Sequence, residues 1–375
     1  MSDAFDVVIA GAGIVGAACA RECAARGLRT AVVEPGEIGG GATAAGMGHI
    51  VAMDDSPAQL ALTSYSQRLW NELSTQLPST VEFERSGTLW VAVDEEEMQE
   101  VHRKKALYAS VGIETEVLDS RALADAEPNL RRPLAGALRV LSDAVLYPPS
   151  AAEYLLKEAM GNGARLYSGR RVLSARAGKV HLDDNSELLA GSIVNAGGAE
   201  AIDLLPELPI RKRKGHLVIT DRYPEFVHHQ LVELGYLKSA HSISKDSVAF
   251  NIQPRKTGQI LIGSSRQYGS ESSAVDHQIV SAMLERARYF MPNIGALSAI
   301  RIWTGFRAAT PDKLPLIGPW PEDKTLFLAA GHEGLGITTS LGTAQLLADH
   351  LVGDHTKIPI DPYLPERFVR SAAHA

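Results

Sequence analysis

Apolar positions along the chain change period several times, and each change marks an element. At the start, "FDVVIAGAGIVGAACARECAARGLRTAVVE" runs from a continuous apolar strand into closely spaced glycines. Small apolar residues at helical spacing follow, then a second apolar strand ending at Glu34. This is a βαβ unit of the usual ~30 residues. The next stretch, "PGEIGGGATAAGMGHIV", keeps neither period, and its small residues predict a loop that something approaches closely. Helical spacing returns from Ser56 to Leu77. "FERSGTLWVAVDEEE" predicts a strand, and the charged segment Glu95 to Tyr108 a helix. Another helix begins near Pro148 to Ser150 and stops at a Gly-Asn-Gly turn before a strand.

"RRVLSARAGKVHLDDNSELLAGSIVNAGG" alternates as strands joined by polar turns and ends on an apolar strand. A meander feeding a core strand predicts that the chain returns there to its first domain. From His216 to Ile300 the pattern gives strands broken by polar turns and one helix, Asp276 to Phe290. The closing "TLFLAAGHEGLGITTSLGTAQLLADHLVG" is strand, glycine loop and a helix from about Ile337 to Leu351. No repeat, low-complexity tract or flexible linker interrupts this order.

Composition fits such a chain. With 375 residues, two interleaved domains are expected. Hydrophobic residues at 45% and charged ones at 22% suit a protein with a sizeable core. A net charge of -7 argues against a nucleic-acid surface. The exception, "RKRK" at Arg211 to Lys214, reads as a solvated strand edge rather than a polyanion site. Cys19 and Cys23, four apart on one helix, are expected to pack inward unpaired, in keeping with a reduced compartment. The start shows no signal-peptide pattern and no stretch reaches ~18 apolar residues. A cytoplasmic protein is expected, with peripheral membrane attachment left open.

Gly11, Gly13 and Gly16 form G-x-G-x-x-G directly after a strand and at the start of a helix. Such glycines allow a tight turn, close approach of backbone to a pyrophosphate, and close helix packing. The helix N-terminus favours phosphate, and Glu34 at the end of the second strand suits a ribose diol. A dinucleotide site follows. Regular βα units do not continue after Glu34, and the nucleotide fold resumes only at "SIVNAGG" and "LFLAAGHEGLG". An extended cofactor lying across separated segments fits FAD better than NAD.

These segments, together with "WTGFRAATPDKLPLIGP" and "AAGHEGLGITTSLGTAQLLADHL", resemble the D-amino acid oxidase superfamily of flavoproteins. Within it, "TAAGMGHIVAMDDSPAQLAL" and "GHEGLGITT" are most similar to the β subunit of heteromeric D-hydroxyproline dehydrogenase and to opine oxidase and hydrogen cyanide synthase subunits. The resemblance implies an α/β (α+β overall) fold, a Rossmann-like FAD-binding domain (residues 1–82, 146–214 and 301–375) interleaved with an antiparallel-sheet substrate domain (83–145 and 215–300). It implies flavin contacts from Gly11, Gly13, Ile14, Val15, Gly16, Glu34 and Pro35 in the opening unit. Ala42, Thr43, Ala44, Gly46, Met47 and Gly48 contribute from the small-residue loop, and Val172, Asn195, Ala196 and Gly197 from the middle of the chain. Gly305, Gly331, His332, Gly334, Leu335, Gly336, Ile337 and Thr338 complete the set near the end.

The resemblance further implies hydride transfer from Cα of an amino or cyclic imino acid to flavin N5, giving an imine. Arg307 stands where the family clamps the substrate carboxylate, a task that suits a planar guanidinium; the other reading is a structural arginine paired with Asp312 or another acid. Covalent members carry a cysteine after this position, where Ala308, Ala309 and Thr310 stand here, so FAD is expected to be non-covalent. His49 is either a flavin or substrate contact or a satisfied loop histidine. Tyr236 is either a pocket hydroxyl or a buried core residue. Glu333 replaces a polar substrate contact of relatives and suits a ring amine or hydroxyl. The favoured activity is a dehydrogenase of a D-amino or cyclic imino acid, D-hydroxyproline first, in an assembly with electron-transfer subunits, a second flavoprotein and an iron-sulfur subunit. An oxygen-using oxidase and a non-catalytic flavin relay are the alternatives.

Overall fold

Small side chains decide how the fold begins. In the computed structural model, which describes residues 4–235 and 246–368, the Ala- and Gly-rich helix α1 (Ile14–Ala25) follows strand β1 (Ala4–Ala10) and leads into β2 (Thr30–Glu34). Because its side chains are short, α1 packs closely against two neighbours at once, the helix Pro148–Gly161 and the final helix Gly336–Val352. Cys19 and Cys23 are buried in this layer as free thiols.

The first sheet is mainly parallel. Its order places the central strand Glu187–Asn195 beside β1, then β2, then Arg165–Ser168, while Asp323–Ala330 and Leu316–Trp320 lie on the other flank. The meander Val172–Arg176 and Lys179–Leu182 joins this sheet through the central strand, as its alternation predicts. Since the chain leaves β1 for β2 on one side and meets Glu187–Asn195 on the other, a crevice opens beyond the C-terminal end of β1.

The second sheet has the order Ala299–Ala309, Arg211–Thr220, Ile260–Tyr268, Ser247–Pro254, Gln230–Glu233, Thr88–Ala92, Gly136–Val140, Thr115–Asp119. All its pairings are antiparallel except that of Gln230–Glu233 with Thr88–Ala92. One face buries Leu89, Val91, Leu231, Phe250, Ile252 and Ile262 under helix His277–Phe290, which Asp276 caps by accepting from the N–H groups of Gln278 and Ile279. The other face looks toward the crevice. The expected domain cuts at 214/215 and 300/301 fall inside two of its strands, Arg211–Thr220 and Ala299–Ala309.

The local readings met tertiary structure at their ends. The helix expected from Ser56 to Leu77 runs as Pro57–Leu73, capped by Ser56, and then tightens into a 3₁₀ turn at Ser74–Gln76. The charged helix is Glu95–Ser110, with Asp94 as its cap and three glutamates in its first turn, where negative charge complements the helix dipole.

Candidate active site

One cavity of about 660 Å³ lies between the two sheets. That size is normal for a cofactor with its substrate. At one end its walls are backbone. Gly11 has φ +105, a conformation L side chains rarely adopt, and a Cβ there would lie 2.8 Å from the carbonyl oxygen of Ala196. Thr43 Oγ1 accepts from the N–H of Ile14 at 3.0 Å, tying the small-residue loop to the N-terminus of α1. The carboxylate of Glu34 accepts from the N–H of Ala12 at 2.7 Å and of Gly36 at 2.8 Å, which fixes it at the cavity edge with lone pairs left for a diol. This cradle of approaching backbone, helix end and oriented acid fits an adenine dinucleotide such as FAD.

Gly11, Gly13, Ile14, Val15, Glu34 and Pro35 line the cavity, as do Ala42, Thr43, Gly46, Met47, Gly48 and His49 from the loop. So do Val172, Ala196, Gly197, Gly305, Arg307, Gly331, His332, Glu333, Gly334, Leu335, Gly336 and Ile337. Four expected contacts do not, each for a physical reason. Gly16 abuts Gly11, and a Cβ there would sit 2.0 Å from the Gly11 carbonyl oxygen. Ala44 is exposed. Asn195 turns its carboxamide inward, donating to the carbonyl of Ala201 at 2.9 Å and accepting from the N–H of Gly197 at 3.2 Å. Thr338 Oγ1 donates to the carbonyl of His49 at 2.8 Å and accepts from the N–H of Val51 at 3.3 Å, so it bolts the final helix to the loop. Tyr236 lies outside the described residues.

At the opposite end the walls are charged side chains. Arg213 and Arg307 stand directly opposite each other on adjacent strands and therefore on one face. Arg307 Nη1 donates to the carbonyl of Ser265 at 3.0 Å, and its guanidinium lies over Gly215, where a Cβ would come within 2.5 Å of Nη1. Arg213 forms an ion pair with Glu333 and donates to Tyr268 Oη at 3.1 Å. Arg266, from the next strand, also lines this end. Among the described residues, that wall thus brings together the guanidiniums of Arg213, Arg266 and Arg307 with the carboxylate of Glu333.

"RKRK" is therefore not a solvated edge. Its strand is paired on both sides, Arg213 and Lys214 are each 3% exposed, and Arg211 faces solvent with Lys212 half-buried beside it. Lys214 donates to the carbonyl of Ala274 and Lys212 pairs with Glu200. Each inward cation has a partner from a distant segment, which is what a run of four charges cannot disclose. The pairing of Arg307 with Asp312 is also not found: Asp312 pairs with Arg367.

Glu333 occupies the left-handed region at φ +54, with its N–H donating to the carbonyl of Ala308 at 2.9 Å. This bridge carries the glycine loop onto the strand bearing Arg307 and aims Glu333 at Arg213. His332 is buried against Thr343 Oγ1 at 3.0 Å, and burial pushes its pKa down to about 3. His49 is likewise neutral: burial, and secondarily the charge of Arg307, lower its pKa to about 3. Its Nε2 is buried without a hydrogen-bond partner among the described residues. The final helix opens on the cavity at Gly336 and Ile337, so its positive end favours negative charge there.

A family model described as FAD dependent oxidoreductase matches residues 6–350. The chain belongs to this family, and its cofactor is FAD. Hydrogen cyanide synthase subunit HcnC of Pseudomonas aeruginosa is 30% identical, the match covering 98% of this chain and 97% of the relative. Glycine oxidase of Geobacillus kaustophilus is 29% identical over 98% of both chains. The crystal structure of glycine oxidase from the same organism superposes with a TM-score of 0.86 at 27% identity, covering 97% of this chain and 98% of that one. L-proline dehydrogenase from P. horikoshii shares the fold, with a TM-score of 0.88 at 23% identity over 99% of each chain. The chain is thus an FAD-dependent oxidoreductase. Neither cysteine lines the cavity.

Proposed function

We propose that this enzyme oxidises the C–N bond of a carboxylate-bearing amine, an amino acid or a cyclic imino acid. The observation that carries the reading is Arg307, held over Gly215 at the charged end of the cavity that the FAD cradle opens into. A fixed guanidinium offers a carboxylate two parallel hydrogen bonds, and the neighbouring positive charge of Arg213 and Arg266 strengthens the attraction. FAD, when bound, supplies the two-electron acceptor for a hydride. The chain's own residues orient the substrate. Arg307 fixes the carboxylate, and neutral His49 presents an acceptor or donor to the amine without repelling it.

Within this reading we favour a dehydrogenase of D-amino or cyclic imino acids, with D-hydroxyproline first and with electrons passed to partner subunits. The resemblance of the segments around His49 and Glu333 supports the substrate, and the whole-chain similarity to HcnC, which is named a subunit, supports the partner subunits. The oxidase alternative rests on the glycine oxidase relatives. Anaerobic titration of the flavin absorbance with D- and L-amino acids, D- and L-prolines and sarcosine tests the substrate class. Bleaching by none of them refutes it. Admitting air afterwards separates the activities: slow reoxidation marks a dehydrogenase, and rapid reoxidation with peroxide marks an oxidase.

A further inference from the structure

The cavity wall beyond the arginines carries polar groups that a carboxylate clamp leaves unused. Neighbouring residues of a strand face opposite ways. With Leu89, Leu231 and Ile252 in one apolar core, the residues Trp90, Val232 and Asn251, paired across three adjacent strands, lie on the opposite face; Trp90 and Val232 there pack with Val101 and Tyr108 of the helix Glu95–Ser110, and all three also line the cavity. Trp90 is 2% exposed and Asn251 8%. Trp90 Nε1, a donor, and Asn251 Oδ1, an acceptor, are both buried with no hydrogen-bond partner among the described residues. Folded proteins leave few such atoms unmatched, because burying one without a partner forfeits its bonds to water. The indole is not loosely placed: the buried ammonium of Lys104 sits 4.7 Å from its ring centroid.

Asn251 is the direct neighbour of Gly263 on the strand whose Ser265 carbonyl receives Arg307. It therefore stands one strand across and two residues along from the backbone that Arg307 contacts, roughly 8 Å between Cα positions. Side chains extending from both ends shorten that gap to the reach of a small molecule bearing a carboxylate and a more distant group. The row bears no charge of its own, and its two unmatched atoms have opposite polarity. A hydroxyl answers both, accepting from Trp90 Nε1 and donating to Asn251 Oδ1.

We propose that Trp90 and Asn251 form a subsite for a hydroxyl group on the substrate, making the enzyme selective for hydroxylated amino or imino acids. The proposal rests on the amine-oxidation reading above. The test compares kcat/KM of the FAD-loaded enzyme for 4-hydroxy-D-proline against D-proline and for D-serine against D-alanine. We expect the hydroxylated member of at least one pair to be preferred tenfold or more, since a site built to hydrogen-bond a hydroxyl rejects the analogue lacking it. Asn251→Leu and Trp90→Phe should each reduce that ratio at least tenfold, and Asn251→Asp, which keeps an acceptor, should retain part of it. A wild-type ratio near one, or ratios unchanged in both the Leu and Phe variants, overturns the subsite. Calorimetric binding of tetrahydrofuran-2-carboxylate and its 4-hydroxy derivative, which lack the amine, reads the subsite without turnover. If none of the four amines reduces the flavin, the oxidation reading fails for these substrates, while equal affinity for the two ring acids still overturns the subsite.

Discussion

The two ends of the cavity are made of different material. At the nucleotide end the chain offers backbone: Gly11 against Ala196, the N-terminus of α1 and N–H groups that orient Glu34. At the substrate end it offers side chains from three strands, with Arg213 facing Arg307, Arg266 beside them and Glu333 reaching in from the final glycine loop. At Gly11 and Gly16 the first kind of site leaves no room for an added atom. The second tolerates change by degrees, because a missing charge weakens a contact without blocking the space.

The sharpest way to break the contrast is to crowd the first end. Gly16→Val places a side chain where even Cβ would meet the backbone oxygen of Gly11 at 2.0 Å, and no rotamer relieves a contact of Cβ itself. The expected outcome is protein with almost no flavin, read from the ratio of flavin to protein absorbance. Gly305→Ala meets Ala45 Cβ at 2.4 Å, an atom of the four-residue helix Ala42–Ala45 that Thr43 ties to α1. Flavin content should fall there too, by less than with Gly16→Val. If Gly16→Val binds FAD normally, the backbone account of the nucleotide end is wrong.

Next in size is Glu333→Gln. Arg213 then keeps its charge in a site where it is 3% exposed while losing its acid. Removing one partner of a buried pair costs about 3 to 5 kcal/mol, and the lower figure suits a carboxylate that is not fully buried. The urea midpoint should fall accordingly, and the second change Arg213→Met should recover part of the loss. Binding of anionic substrate should tighten, because the acid that offset Arg213 is gone. Arg307→Ala follows: a charged hydrogen-bonded contact contributes about 1.5 to 3 kcal/mol, or roughly a 10- to 150-fold loss in kcat/KM, with flavin content retained. Unchanged kinetics would remove the clamp.

The same contrast explains what the sequence could disclose. The opening βαβ unit is written in one continuous stretch, where glycine spacing, helix start and Glu34 report a local structure. The substrate end is assembled by strand pairing between distant segments. Strand Arg211–Thr220 is buried on both faces beyond its first residues, so its alternation vanishes, and a run of basic residues reads as solvent-facing when its acid lies in another loop. Resemblance located Arg307, but nothing local marked Arg213, Arg266, Trp90 or Asn251. An acid at position 333 inside a glycine loop was the one available signal that an inward cation awaited it. Asn195 and Thr338 show the converse: both stand in segments that build the cavity, yet hydrogen bonding turns them toward the scaffold.

The mildest prediction uses the two neutral histidines, one near each kind of wall. His332 packs against Thr343 behind the glycine loop, and His49 shares the charged end with Arg307. For both, burial lowers the folded-state pKa to about 3 from the ordinary 6.5. As pH falls below about 6.5, the unfolded chain gains protons at these positions that the folded chain cannot take up. Their contribution to stability is therefore flat above that pH and declines below it, by up to about 1.4 kcal/mol per pH unit for each histidine, while buried Asp143, raised to about 7, works the other way and does so alike in wild type and variant. His332→Gln removes one of the two titrations, so its urea midpoint should fall less steeply than wild type between pH 6.5 and 5, a window above most carboxylate titrations. A carboxylate seated on Arg307 should flatten the remaining slope, because it cancels the charge that helps hold His49 neutral. It should leave the contribution of His332 untouched, since burial alone lowers that pKa. Equal slopes in wild type and His332→Gln would show that His332 takes up its proton without unfolding.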